Sequence, residues 1–193
     1  MRTRARALRT SKSHPIRVDV IPEAVLPKGV LGLSIAPGKK DLNGFTGAHD
    51  RDLDTDLDAV FATFRPTHVL SLMESFEYER FKIGGLFDGV ERRGAVVIHY
   101  PIRDVSTPKD MRDFVRLIDS VWGMLQQGAR VLVHCKGGLG RTGLVVAALL
   151  VRQGHPPSRA IQLTRETRKG AVETASQEKW VLRYACCQRG PAG

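Results

Sequence analysis

RVLVHCKGGLGRTGLVVAALL (residues 130–150) joins an apolar run to a glycine-rich turn and then to a second apolar run, with one cysteine, Cys135, at the first junction. The nearly unbroken apolar stretch 130–135 suits a strand covered on both faces, and residues 140–153 suit a buried helix. Between them Gly137, Gly138 and Gly140 permit positive φ and close backbone approach. Strand, tight loop and helix in that order aim backbone N–H groups and a helix N-terminus at one point. Such a point is an anion site.

Three chemistries compete for it. Aligning Gly138 and Gly143 on the nucleotide phosphate-loop pattern places Leu144 and Val145 where Lys and Ser/Thr are required, so that reading fails. The run from Gly138 to Gly143 formally matches GxGxxG, yet a dinucleotide fold needs a further parallel strand ending in an acid. Here GHPPSRAIQLTRETR follows, and Pro156 and Pro157 oppose a strand. The third reading makes Cys135 a nucleophile and Arg141, six residues on, the ligand of a phosphate. Amides between Lys136 and Arg141, through Gly137, Gly138, Leu139 and Gly140, would surround the anion, and the planar fork of Arg141 would grip two oxygens. The same field favours ionisation of the thiol. His134 would order the loop, and the Thr142 hydroxyl would stabilise the departing thiolate. A thiolate attacking phosphorus also needs a proton donor for the leaving oxygen. HYPIRDVSTP supplies Asp104 in a loop after a strand end, and the same carboxylate can activate water in a second step.

Outward from this stretch the chain alternates. Strand-like runs occupy 16–21, 29–35, 67–72, 95–100 and 130–135, and helical patterns occupy 52–64, 108–128, 140–153, 158–168 and 175–187. Pro108 is expected to open the second helix and Ser158 to cap the fourth. The expected fold is α/β: one domain with a central, mostly parallel sheet of about five strands and helices on both faces. Residues 1–13 read as a basic, flexible tail, 14–189 as the folded domain and 190–193 as a C-terminal tail. The N-terminus has no apolar core, so it is no secretory signal. Its Arg- and Ser-rich composition also suits a transit peptide.

The formal charge is +10. It sits at the two ends: residues 1–20 and residues 152–193 each carry +5, and everything between sums to zero. With only 6% aromatic residues a base-stacking surface for nucleic acid is not expected. An acidic partner is an open alternative to a merely solvated surface. No apolar run reaches the roughly 20 residues of a membrane span. The three cysteines, Cys135, Cys186 and Cys187, form no disulfide framework and suit a reducing, cytoplasmic setting. No zinc-ligand spacing occurs, and DRDLDTDLD (50–58) lacks the Gly and Glu of a calcium loop, so neither metal nor cofactor is expected. The acidic run reads as a helix start.

HCKGGLGRTG resembles the signature loop of cysteine-dependent protein tyrosine and dual-specificity phosphatases. With HPIRVDV, LGLSIAPGKK, YPIRDVSTP and RKGAVETASQEKWV it resembles most the kinase-associated (cyclin-dependent kinase inhibitor 3-like) group, over about residues 14–185. The resemblance implies a tyrosine phosphatase-like fold, phosphoprotein substrates, Cys135 as nucleophile, Arg141 as phosphate ligand, Asp104 as general acid and Gln177 as a water-orienting glutamine. A solvent-facing helix glutamine is the alternative for Gln177. Departures occur at Val105 and Ser106, where relatives often have glycines after the acid. They also occur at Lys136, which is similar to phosphoinositide phosphatases, although Leu139 stands where those have a second lysine. A lipid or small-phosphoester phosphatase, a phosphoprotein-binding module without turnover, and a rhodanese-like sulfurtransferase are the alternatives. Oligomeric state is not legible.

Overall fold

The computed structural model describes residues 7–44 and 47–188. Five strands form the main sheet: β1 (Asp19–Val20), β2 (Val30–Ile35), β5 (His68–Ser71), β6 (Val96–His99) and β7 (Arg130–Cys135), in the order β1-β2-β7-β5-β6. Only β1 runs antiparallel. A small hairpin of β3 (Lys40–Asp41) and β4 (His49–Asp50) lies apart from it. Seven helices complete the described chain: α1 (Leu53–Thr63), α2 (Ser75–Arg80), α3 (Leu86–Glu91), α4 (Met111–Gln126), α5 (Gly140–Arg152), α6 (Pro157–Thr167) and α7 (Ala175–Gln188).

Side-chain alternation along the strands divides the core in two. Leu31, Leu33, Leu70, Leu72, Val131 and Val133 meet α4 to α7 on one face. Val69, Leu132 and Val97 meet α1 to α3 on the other. The expected two-sided α/β sheet is therefore what forms. β7, between parallel neighbours, carries Cys135 opposite Ile35 at its C-terminal end. Ligands of open parallel sheets bind outside such strand ends.

Several local expectations need correction. The run 16–21 gives only a two-residue strand, because Pro15 and Pro22 bracket it and β2 is its one partner. The second long helix starts at Met111, not Pro108, with the Asp110 carboxylate accepting from the Asp113 amide at 2.9 Å. Pro156 caps α6 without a side-chain bond and Pro157 is its first residue, so Ser158 lies inside the helix. The helices α2 and α3 and the β3–β4 hairpin were not expected at all. The packed chain also begins before His14. Ser11 is buried, its hydroxyl accepting from the Asp52 amide at 2.9 Å, and Arg9 bridges to His49. Residues 1–6 and 190–193 of the two expected tails, and residue 189 at the end of the expected domain, lie outside the described residues.

The acidic run behaves as a helix start, with Asp52 accepting from the Thr55 amide at 2.8 Å. One of its carboxylates does more. Asp56 is buried, takes a bidentate bond from Arg51 at 2.7 and 2.8 Å and accepts from the Gly38 amide at 2.9 Å. That pair ties α1 to the loop between β2 and β3, which forms one wall of the site.

Candidate active site

The loop between β7 and α5 is built as its sequence requires. Gly138 has φ +65°, and a Cβ there would lie 2.2 Å from the Ser34 carbonyl oxygen, so only glycine fits. Its amide donates to the Cys135 sulfur at 3.2 Å. The first turn of α5 leaves its leading amides without intrahelical acceptors, facing the same region. Gly140 lies against Gln177 and Glu173, and Gly143 lets α5 approach the backbone of Val172. His134 is sealed in the core. Burial lowers its ring to about 4, against the raising effect of the Cys135 backbone, so it is neutral and serves the loop as a packed ring. Thr142 is buried and its hydroxyl has no partner among the described residues.

Arg141 returns from α5 beneath this loop. Its Nη1 donates to Glu77 Oε2 at 2.6 Å and to the Ile102 carbonyl at 3.0 Å, and its Nη2 donates to Glu77 Oε1 at 2.9 Å. Burial would lower its basicity, but the Glu77 hydrogen bonds and surrounding negative charge raise it overall, so the cation is permanent. Nε is buried without a partner among the described residues. The guanidinium is therefore locked on one edge and holds a free donor on another. Glu77 is a member of the site that sequence reasoning missed. It sits in a six-residue helix and meets Arg141 from 64 positions away.

Asp104 closes over the loop. Its carboxylate contacts Arg141 Nη2 and Lys136 Nζ at 2.9 and 2.8 Å. Burial raises this carboxyl, but the Lys136 hydrogen bond and the charge of Arg141 outweigh it and hold the group below the usual carboxylate range. The next residue, Val105, has φ +57°, the left-handed region that a β-branched side chain enters at a cost of roughly 1–3 kcal/mol. A glycine would adopt it freely. Two residues before Asp104, the Ile102 carbonyl is held by Arg141, so Arg141 and the Asp104 loop are mechanically joined. Gln177 is fully buried, not solvent-facing. Its Oε1 accepts from the Glu173 and Thr174 amides at 3.0 and 3.2 Å, and its Nε2 donates to the Ser106 carbonyl at 3.1 Å. It links the acid loop to α7.

Cys135, Arg141, Asp104, Lys136, Gly137, Leu139 and Gly140 all line one cavity of about 340 Å3. Lys39, Asp41 and Glu173 line it too, and sequence reasoning assigned none of them. Lys39 is only 1% exposed and forms no ion pair among the described residues; burial first, then Lys136 and Arg51, lowers its ammonium to about 8 despite Asp41 and Cys135. Cys186 and Cys187 are exposed on α7, and all three cysteines are free.

The comparisons with known proteins agree with this geometry. Residues 68–155 match the family described as "Polymorphic toxin system, DSP-PTPase phosphatase". Cyclin-dependent kinase inhibitor 3 of mouse is 31% identical over 173 residues, which cover 88% of this chain and 79% of that protein. The rat protein of the same name is 32% identical over 111 residues, 56% of this chain, so the chain spans about half (52%) of that relative's length. Among solved structures, kinase-associated phosphatase with its catalytic-site cysteine changed to serine superposes with a TM-score of 0.81. The superposition covers 92% of this chain and 98% of that one, and at 24% identity it speaks for the fold. With the mouse relative matched over most of both chains, and Cys135, Arg141 and Asp104 gathered in one cavity, the chain belongs to the cysteine-dependent protein tyrosine and dual-specificity phosphatase superfamily, near the kinase-associated phosphatases.

Proposed function

We propose that this protein hydrolyses phosphomonoesters on proteins, phosphotyrosine and also phosphoserine or phosphothreonine, through a phosphocysteine intermediate. The observation that carries the reading is the convergence on one cavity of Cys135, the free Nε edge of Arg141 and the Asp104 carboxyl. A phosphate dianion seats against the loop amides and Arg141. Asp104 then leaves Nη2, and the neighbouring dianion favours its protonation. The Cys135 sulfur attacks phosphorus, the bond to the ester oxygen breaks, and the Asp104 proton passes to that oxygen. In the second step water attacks the phosphocysteine, its proton goes to Asp104, and the sulfur leaves toward the Gly138 amide and the Thr142 hydroxyl. Gln177 has one amide hydrogen beyond its bond to Ser106, and this hydrogen orients that water.

Lys136 supports the protein reading over the lipid one: it is engaged with the acid at 2.8 Å, and Leu139 supplies no second cation. Three free cysteines support a reducing, cytoplasmic setting. The test is para-nitrophenyl phosphate hydrolysis across pH in EDTA. Wild type gives an acid-side bell, Cys135→Ser gives no turnover, and Asp104→Asn loses the basic limb. Turnover by Cys135→Ser at the wild-type rate would remove the nucleophile from the scheme and leave the loop as a phosphoprotein-binding site.

A further inference from the structure

A second and larger cavity, about 580 Å3, lies on the other side of the phosphate loop, and Gly137 and Leu139 line both. Five of its lining residues carry a permanent positive charge, Arg9, Arg17, Arg51, Arg168 and Lys169, against the acids Asp19 and Glu166. The fold has here brought together the two basic ends of a chain whose middle is neutral. Not all of this charge is available. Arg51 is held by buried Asp56 at 2.7 Å, Arg168 by Asp19 at 2.6 Å, and Glu166 is itself taken by Arg159 at 3.0 Å. Arg17 is 84% exposed and reaches the already paired Asp19 only at 3.5 Å. Arg9 and Lys169 are exposed and form no ion pair among the described residues.

We propose that this groove docks an acidic stretch of the substrate polypeptide flanking the phosphorylated residue, an inference that rests on the phosphatase reading above. The groove adjoins the catalytic cavity, so one extended segment can occupy both. Its wall also holds unanswered polar groups: the Nε of Arg168 and both ring nitrogens of His49, which is 3% exposed. Arg168 further donates to the Gly137 carbonyl at 3.3 Å, joining groove to loop. Among the described residues its lining has no Phe, Tyr or Trp, only the imidazoles of His14 and of buried His49, so a nucleic acid would find little stacking platform. A carboxylate-bearing segment answers the surplus cations, and the attraction acts on encounter as well as on the complex.

The test uses the Cys135→Ser protein and two fluorescent phosphotyrosyl peptides, one with glutamates on both sides of the phosphotyrosine and one with glutamines in their place. The acidic peptide is expected to bind about tenfold more tightly at low ionic strength. The advantage disappears in ~0.5 M salt, where screening acts over about 4 Å. It also disappears when Arg17→Glu and Lys169→Glu are added, while those two changes in the wild-type background leave para-nitrophenyl phosphate turnover intact. Equal binding of the two peptides, or a preference that survives both charge reversals, overturns the inference. So does retention of the protein on phosphatidylserine vesicles with the peptides bound alike, which would assign the groove to a membrane surface. Selective binding of the acidic peptide in a protein that turns over no phosphoester would uphold the groove and remove the phosphatase reading alone.

Discussion

Replacing Lys39 by methionine tests the electrostatics of the site. Lys39 is 1% exposed, lines the catalytic cavity beside Cys135 and has no ion pair within the described residues. Burial lowers its ammonium from 10.5 to about 8, Asp41 opposing and Lys136 adding to the effect. For a base whose pKa falls on folding, the native state binds the proton less well than the unfolded chain. The cost is thus fully present below the folded pKa and gone above the unfolded one. A fall of about 2.5 units corresponds to about 3 kcal/mol at pH 7. Lys39→Met keeps the length of the side chain and removes the charge. The variant is therefore expected to be more stable at pH 7 by about 3 kcal/mol, or about 6–12 °C in Tm for a domain of this size.

The pH dependence carries the proof. Between pH 8 and 10.5 the wild-type lysine discharges in the native state first, so the gap between the two proteins closes with rising pH. It should shrink to roughly 1 kcal/mol near pH 9.5. Paired urea titrations at the two pH values measure it directly, since other titrating groups are common to both proteins. Activity moves the other way: loss of a cation from the cavity raises KM for para-nitrophenyl phosphate. A variant no more stable than wild type at pH 7, or a gap that ignores pH, would show that the Lys39 ammonium is fully paired and refute the reasoning.

Glu77→Gln leaves the Arg141 charge buried with no counter-charge below it. Unfolding titrations should show a loss of about 3 kcal/mol, and kcat should fall as the guanidinium loses its fixed orientation. Lys136→Met removes a cation that holds the Asp104 carboxyl ionised and its pKa down. Its carboxyl then keeps the proton to higher pH, and the basic limb of the kcat/KM profile shifts upward; an unmoved limb would detach Lys136 from the acid. Two alanine substitutions in one loop should diverge. Gly138→Ala forces a Cβ to within 2.2 Å of the Ser34 carbonyl and should abolish turnover, whereas at Gly137 nothing lies within 4 Å and activity should survive.

The strand, loop and helix of 130–150 were legible because periodicity and glycine placement are local properties, and strand and helix formed in place; of the three loop glycines only Gly138 takes positive φ, and Gly137 has open space around it. The five sheet strands were legible for the same reason, apart from the shortening of β1 between prolines. The helices α2 and α3, at six residues each, are shorter than the two turns needed to display an amphipathic period, and the β3–β4 hairpin has two residues per strand. Lysine at position 39 reads as surface by residue type, and only the fold buries it. Charge at the chain ends could be counted, but their meeting in one groove could not.

Glu77 marks the general limit. A buried arginine carries five donors, and a local motif holds the arginine without the groups that satisfy it. For Arg141 those groups are the Leu72 and Ile102 carbonyls, Glu77 and Asp104, all from elsewhere in the chain. Of these, Asp104 is the one to which the proposed reaction assigns protonation of the leaving group. Glu77 and the two carbonyls fix the fork through Nη1 and Nη2, and Nε has no partner among the described residues. In the proposed reaction phosphate would therefore compete with Asp104 for Nη2, and the Asp104–Arg141 contact is the one that substrate binding would break. That exchange would free the carboxyl from one of its two cations beside a new dianion, and a group held ionised by Lys136 and Arg141 would become able to donate a proton.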